Sequence, residues 1–147
     1  MRNQSGQSLF EIVLALAITT LIIVALVALT ATSIRNTTFS KNKTLASRYS
    51  QEATEWLRGE RDANFSDFRS QAATPLYCMP SLSWAIIGAC ASGQEIVNTL
   101  FRREISFSSS LVNGKTLIQA SVRVYWSDAQ GLHEVRSVTN FSDWRQI

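Results

Sequence analysis

The chain is poor in the residues that most often carry chemistry. Its 147 residues include one histidine, His133, and two cysteines, Cys78 and Cys90. His133 is far from both cysteines in sequence, so a zinc-ligand set is not expected. There is no Gly-rich phosphate loop and no nucleophile signature. Neither catalysis nor a cofactor is therefore expected, and His133 reads as a strand residue near a turn. Net charge is also small, +3 in formal terms, which is too little to argue for nucleic acid by itself. Internal repeats and low-complexity tracts are absent. The sharpest absence is local: Ile12 to Ala31 contains no charged residue, no Pro and no Gly.

That run is twenty residues long. At a rise of about 1.5 Å per residue it makes about 30 Å of helix, the thickness of a bilayer's hydrocarbon core. It reads as a transmembrane helix. A cleaved secretory signal fits poorly, because its apolar core would be only ~7–15 residues and Ala31-Thr32-Ser33 is a weak cleavage site. Glu11 stands at the start of the run. A carboxylate at the edge of a span is costly and marks a functional candidate. Gly6 lies five residues earlier, after the short polar stretch Met1-Arg2-Asn3-Gln4-Ser5.

Helical patterning continues past the span. Ser33 to Leu57 lacks Pro and Gly, and Leu45, Tyr49, Ala53 and Trp56 fall on one stripe of a 3.6-residue period. Lys41, Lys43, Arg48, Gln51 and Glu55 suit the wet face. Gly59 is a natural stop. One helix from about Ser8 to Arg58 is expected, apolar all round in its first half and amphipathic in its second. Asn64, Ser66 and Asp67 suit turns or caps, and Ser66 to Gln71 suits one short helical turn that docks Phe65 and Phe68.

The two cysteines lie in a loop bounded by Pro75 and Gly93. Outside the cytosol an even pair favours a Cys78–Cys90 disulfide, and in a reducing compartment the same residues would be free thiols. Trp84 to Ile87 reads as a short extended piece. Beyond it, Phe101, Arg103, Ile105 and Phe107 alternate with Arg102, Glu104 and Ser106. Thr116 to Trp126 alternates in the same way, and His133 to Thr139 does so less cleanly. Period-two alternation indicates strands with one face buried, and Asn113-Gly114 and Asp128 to Gly131 are hairpin signals. The expected fold class is α+β: an antiparallel meander whose Val122, Val124 and Trp126 cover the Leu45/Tyr49/Trp56 stripe, with Phe141 to Trp144 capping an edge.

A short polar leader ending in Gly, a carboxylate five residues later and a long apolar helix that turns amphipathic together resemble the type IV pilin superfamily, which includes major and minor pilins and the pseudopilins of type II secretion. The resemblance implies a pilin fold. It also implies cleavage by a prepilin peptidase between Gly6 and Gln7, N-methylation of Gln7, and a filament-assembly role for Glu11. The usual first mature residue of the family is Phe, where this chain has Gln7. The segment from Trp56 to Phe65 is similar to the "R-x-x-R-D-x-N-aromatic" segment of PilV-type minor pilins. Major pilins often carry helix-weakening Gly or Pro in the apolar half, where this chain has Thr20 and Ala28, so a minor subunit is implied. The domains would be a leader (1–6), a transmembrane or filament-core helix (7–32) and a head (33–147). The head would divide into the amphipathic helix half (33–58), the loop with the cysteines (59–98) and the strands (99–147).

The implied partners are other pilin subunits, the prepilin peptidase, the inner-membrane pilus assembly platform and the membrane itself. The precursor would be a single-pass inner-membrane protein with an exported head, later part of an extracellular pilus or periplasmic filament. The positive-inside rule points the other way, since Arg2 precedes the span and Arg35, Lys41, Lys43 and Arg48 follow it. The expected function is structural, as a minor pilin. The alternatives are a type II secretion minor pseudopilin and a competence pilin in which Arg102, Arg103 and Arg123, with Arg136, Arg145 and Tyr125, would contact nucleic acid.

Overall fold

The computed structural model describes residues 5–112 and 114–143, with the side chains of the first helix described from Leu9 onward. The chain forms two compact units, Met1–Lys41 and Asn42–Ile147. Helix α1, Ser5–Ala63, spans 59 residues and belongs to both.

In the first unit α1 is apolar on every side from Ile12 to Ala31. Large side chains from Leu9 to Leu29 are all exposed. The threonines within the run satisfy themselves: Thr19, Thr20 and Thr30 donate to the carbonyls of Ala15, Leu16 and Leu26 at 2.7, 2.9 and 2.8 Å. Their hydroxyls are thereby matched inside the helix, as a water-free environment requires.

In the second unit α1 lays one face on a sheet. The centre of that face is Ala46, Ser50, Ala53, Thr54 and Leu57, all buried. The expected stripe of Leu45, Tyr49 and Trp56 flanks it, partly buried against the core. The small Ala46 and Ala53 share one buried cluster with large side chains of the sheet, among them Ile105, Val122 and Trp126, and the larger helix residues pack at its sides. Nor does Gly59 end the helix, which runs four residues further to Ala63. A helical Gly costs only about 1 kcal/mol relative to Ala, and buried Leu57 and half-buried Trp56 hold the chain through it. The real break is Asn64. Its side-chain oxygen accepts from the N–H groups of Ser66 and Asp67 at 3.0 and 3.3 Å, which caps α2, Phe65–Gln71. Helix α2 buries Phe68 edge-on to Phe107 and Phe141, with ring centroids 6.2 and 5.2 Å apart.

The sheet has five antiparallel strands, two more than the meander read from the sequence. They are β1 (Leu76–Cys78), β2 (Ile86–Ile87), β3 (Arg102–Val112), β4 (Lys115–Asp128) and β5 (Gly131–Ser142), in the order β2-β1-β3-β4-β5. β2 is the extended piece expected near Trp84; β1 was hidden in the cysteine loop. Ile105 faces Val122 and Phe107 faces Ala120 across β3 and β4, and Ile118 faces Phe141 across β4 and β5. Ile105, Ile118, Ala120, Val122, Val124, Trp126 and Phe141 are all buried. Gly114 and Gly131, at φ 76° and 119°, occupy the hairpin backbone positions that favour glycine. Asn113 and Trp144, which the sequence reading placed in a turn and an edge cap, lie outside the described residues. The fold class is α+β, a long N-terminal helix packed on an antiparallel sheet, and it is compatible with a pilin fold.

Candidate functional site

The first candidate region is the start of α1. Gly6 and Gln7 lie within its first turns. Glu11 follows one turn after Gln7, and on a helix residues four apart share a face. Glu11 is exposed and stands on an otherwise apolar surface that runs to Ala31. Among the described residues, this is the one helix long and apolar enough to cross a membrane. A helix apolar on all sides is stable only with that surface covered, by lipid or by other helices. In either setting an uncompensated carboxylate at Glu11 would be expensive.

The second region is the brace around the cysteines. Cys78 and Cys90 are bonded, with Cα atoms 4.9 Å apart. Cys78 lies opposite Glu104 in the β1–β3 pairing, and the Cys90 N–H donates to Glu104 Oε1 at 2.9 Å. Arg103, the preceding residue, points to the other face of the sheet and is 2% exposed. Its guanidinium donates to the carbonyls of Met79 and Tyr49 at 3.1 and 3.2 Å, and to Glu52 Oε2 at 3.1 Å. One side chain thus joins β3, the disulfide loop and α1. Burial lowers its pKa and Glu52 opposes that shift; an arginine stays charged through such changes.

Arg103 is therefore removed from the group of candidate nucleic-acid contacts. It shares the inner face with Phe101, Ile105 and Phe107, as its phase in the strand dictates, and its hydrogen bonds are made inside the head. The alternation pattern carried that signal; counting arginines hid it.

Arg102 and Arg123 lie on the outer face, and both are paired. Arg102 meets Glu95 at 2.7 Å, and Arg123 meets Glu104 at 3.6 Å as well as Glu134. Arg136 also reaches Glu134, at 3.4 Å. Arg123 lies over the Tyr125 ring, 4.7 Å from its centroid, and the Tyr125 hydroxyl donates to Glu104 at 2.9 Å. The side-chain hydrogen bond from Arg102 lowers the Glu95 pKa, and the same contact raises that of Arg102. Burial, followed by Glu104, raises that of Tyr125. Three arginines interleaved with three glutamates make a neutral face, not the basic stripe that a nucleic-acid backbone recruits. Arg145 lies outside the described residues.

No protein-family model, curated protein or solved structure matches this chain.

His133 lies beside a turn, as expected. Its Nε2 is 2.9 Å from Asp128 Oδ1, and its ring lies 5.2 Å from that of Trp126. The pair braces the β4–β5 hairpin. Two features escaped the sequence reading. One is the Arg103 junction. The other is a bond from Trp84 Nε1–H to Glu60 Oε2 at 2.9 Å, which ties the disulfide loop to the last turns of α1 while Trp84 packs at a tilt against Trp56, centroids 4.7 Å apart. Loop-to-helix contacts of this kind have no periodic signature.

Proposed function

We propose that this chain is a structural subunit, of the minor class, of a type IV pilus or related filament. It is made as a single-pass inner-membrane precursor with a leader that ends at Gly6. The prepilin peptidase cuts between Gly6 and Gln7 and methylates the new terminus. The assembly platform then draws the apolar half of α1 from lipid into a bundle of like helices, and the head is carried on the exported side. The partners are other pilin subunits, and the work is packing rather than catalysis.

The observation that carries this reading is the composition of α1. It joins an all-round apolar surface with a single carboxylate, Glu11, to an amphipathic half whose inner face is covered by the sheet. A permanent anchor has no use for that carboxylate. In a filament the cut supplies one: Gln7 gains a cationic amine one helical turn from Glu11, about 6 Å along the axis. The amine of one subunit and Glu11 of an axially shifted neighbour then compensate each other in a dry core. Removing either partner there would cost several kcal/mol, so the pair also selects the register. The unbroken helix from Ile12 to Ala31 favours a minor subunit over the bulk subunit, whose helix often carries Gly or Pro.

Mass spectrometry of the mature N-terminus is the direct test. The chain should begin at Gln7, with or without one added methyl group; a mature protein that retains Met1 overturns the proposal. Glu11→Ala should insert into the membrane normally but be lost from sheared filaments by about a hundredfold or more, the factor set by losing several kcal/mol of pairing.

A further inference from the structure

Positive charge is unevenly distributed along α1. Between Glu11 and Glu52 there is no Asp or Glu, yet this stretch carries Arg35, Lys41, Lys43 and Arg48. All four are exposed. Every salt bridge among the described residues lies at or beyond Glu52. The chain has fourteen Lys and Arg against eleven Asp and Glu, so without these four residues it would carry an excess of acid. Its uncompensated positive charge is therefore concentrated just past the apolar run.

Helix geometry fixes where these cations sit once Ile12 to Ala31 is in a bilayer. Arg35, Lys41 and Lys43 lie about 6, 15 and 18 Å beyond Ala31 along the axis. The headgroup layer is about 5–7 Å deep on each side, and charge at the surface is felt for about 8 Å more at physiological salt. Helical Cα–Cβ bonds tilt toward the N-terminus. The long Lys and Arg side chains thus reach back toward the lipid, as snorkelling residues do. Arg48, about 26 Å along, is beyond that range.

We propose that Arg35, Lys41 and Lys43 form a collar that binds anionic phospholipid headgroups at the bilayer surface where the apolar run ends. The covalent tether to the span holds the collar in the headgroup zone, and the complementary charge available there belongs to lipid. A headgroup-bound collar fixes the depth of the helix in the membrane. The proposal requires only that the apolar run spans a bilayer. It holds whether or not the chain is cut or assembled.

The test uses the full-length chain reconstituted in phosphatidylcholine vesicles, with chain-spin-labelled phosphatidylglycerol or phosphatidylcholine as the probe. Electron paramagnetic resonance reads the motionally restricted fraction of each. At low salt the phosphatidylglycerol probe should be preferred several-fold, since each cation near the surface contributes up to about fivefold. The preference should collapse in 1 M NaCl and in the R35Q/K41Q/K43Q variant, and should persist in R48Q. Equal restriction of the two probes in the wild-type chain overturns the proposal. So does a preference that survives the triple substitution, because it would then belong to cations elsewhere in the chain. A shift in mobility with duplex DNA that depends on these three residues, without any lipid preference, would assign the cations to nucleic acid and also overturn it. A terminus that proves uncut at Gly6 would refute the filament reading and leave the lipid result standing.

Discussion

Replacing Arg103 is the most informative perturbation of the head. The side chain is almost fully buried and joins three elements: β3, which carries it; the disulfide loop through the Met79 carbonyl; and α1 through the Tyr49 carbonyl and Glu52. Arg103→Met keeps most of the stem volume and removes the donors. The Met79 carbonyl then loses a partner in a buried setting, at about 1–3 kcal/mol. The Tyr49 carbonyl sits within α1 and keeps the helical N–H of Ala53, so its loss is smaller. Glu52 is about half exposed, 51% for its side chain, and returns to water. The total is about 2–4 kcal/mol, and Glu52→Ala by itself should cost under about 1 kcal/mol, as partly solvated pairs do. For a unit of about a hundred residues, 2–4 kcal/mol corresponds to a Tm drop of roughly 10–25 °C.

The assay is thermal unfolding of the full chain in detergent micelles, followed by near-ultraviolet circular dichroism. The tryptophans Trp56, Trp84 and Trp126 pack in or against the core and report on it. Arg103→Lys should fall between wild type and Arg103→Met, because a single ammonium cannot reproduce the fork that reaches three acceptors. The reasoning fails if Arg103→Met melts within about 2 °C of wild type, or if Glu52→Ala costs as much as Arg103→Met. The first result would mean that the junction is replaceable by apolar packing, as some buried charge clusters are. The second would place the energy in the ion pair and not in the carbonyls.

Two further outcomes concern the loop and its rim. Replacing Cys78 and Cys90 by Ala should destabilise the head by about 3 kcal/mol, the chain-entropy value for closing a loop of this length; amide exchange should rise first between Met79 and Ile87, and uniform exchange across the sheet would refute a local brace. Glu95 has its pKa held below the ordinary glutamate value by Arg102, so its contribution is present above that value and is lost as pH falls through the depressed one. Glu95→Gln should therefore flatten the acid limb of the stability curve slightly, while an acid limb identical to wild type would mean that the pair contributes nothing in solution.

The sequence revealed elements with a period and concealed elements held by single contacts. The α1 amphipathicity, the alternation in β3 and β4 and the Asn64 cap each repeat or use a known local chemistry, and all were readable. The strand β1 has three residues, too few for a period, and exists because Tyr77 and Cys78 pair with Ile105 and Glu104, which are distant in sequence. The expected α1 stripe of Leu45, Tyr49, Ala53 and Trp56 does pack in or against the core. Apolar periodicity alone did not single out Ala46 and Ser50, small residues that are also fully buried on that side of the helix. In the candidate sites the same contrast holds. Gly6, Gln7 and Glu11 form a spacing motif that can be read in one dimension. Arg103 shows its role only once Met79 and Tyr49, remote along the chain, are placed beside it.

Helix α1 solves two packing problems with one secondary structure, and the difference lies in side-chain size. Against the sheet it buries Ala46, Ser50 and Ala53, small residues fitted among larger side chains, so that the contact is specific to one partner. Along Ile12 to Ala31 it presents Leu, Ile and Val on every side, a surface that lipid or any similar helix can cover. Such a surface gives affinity without register, because sliding one apolar helix along another changes little buried area. Register must come from something sparse, polar and costly to misplace. Along the described apolar surface Glu11 has that character: the threonine hydroxyls are satisfied within their own helix, and they can slide past a neighbour without penalty. Moving Glu11 one turn along α1, by Glu11→Ala with Ala15→Glu, should therefore leave insertion unchanged but shift or abolish assembly; incorporation at the wild-type level would show that register is set elsewhere.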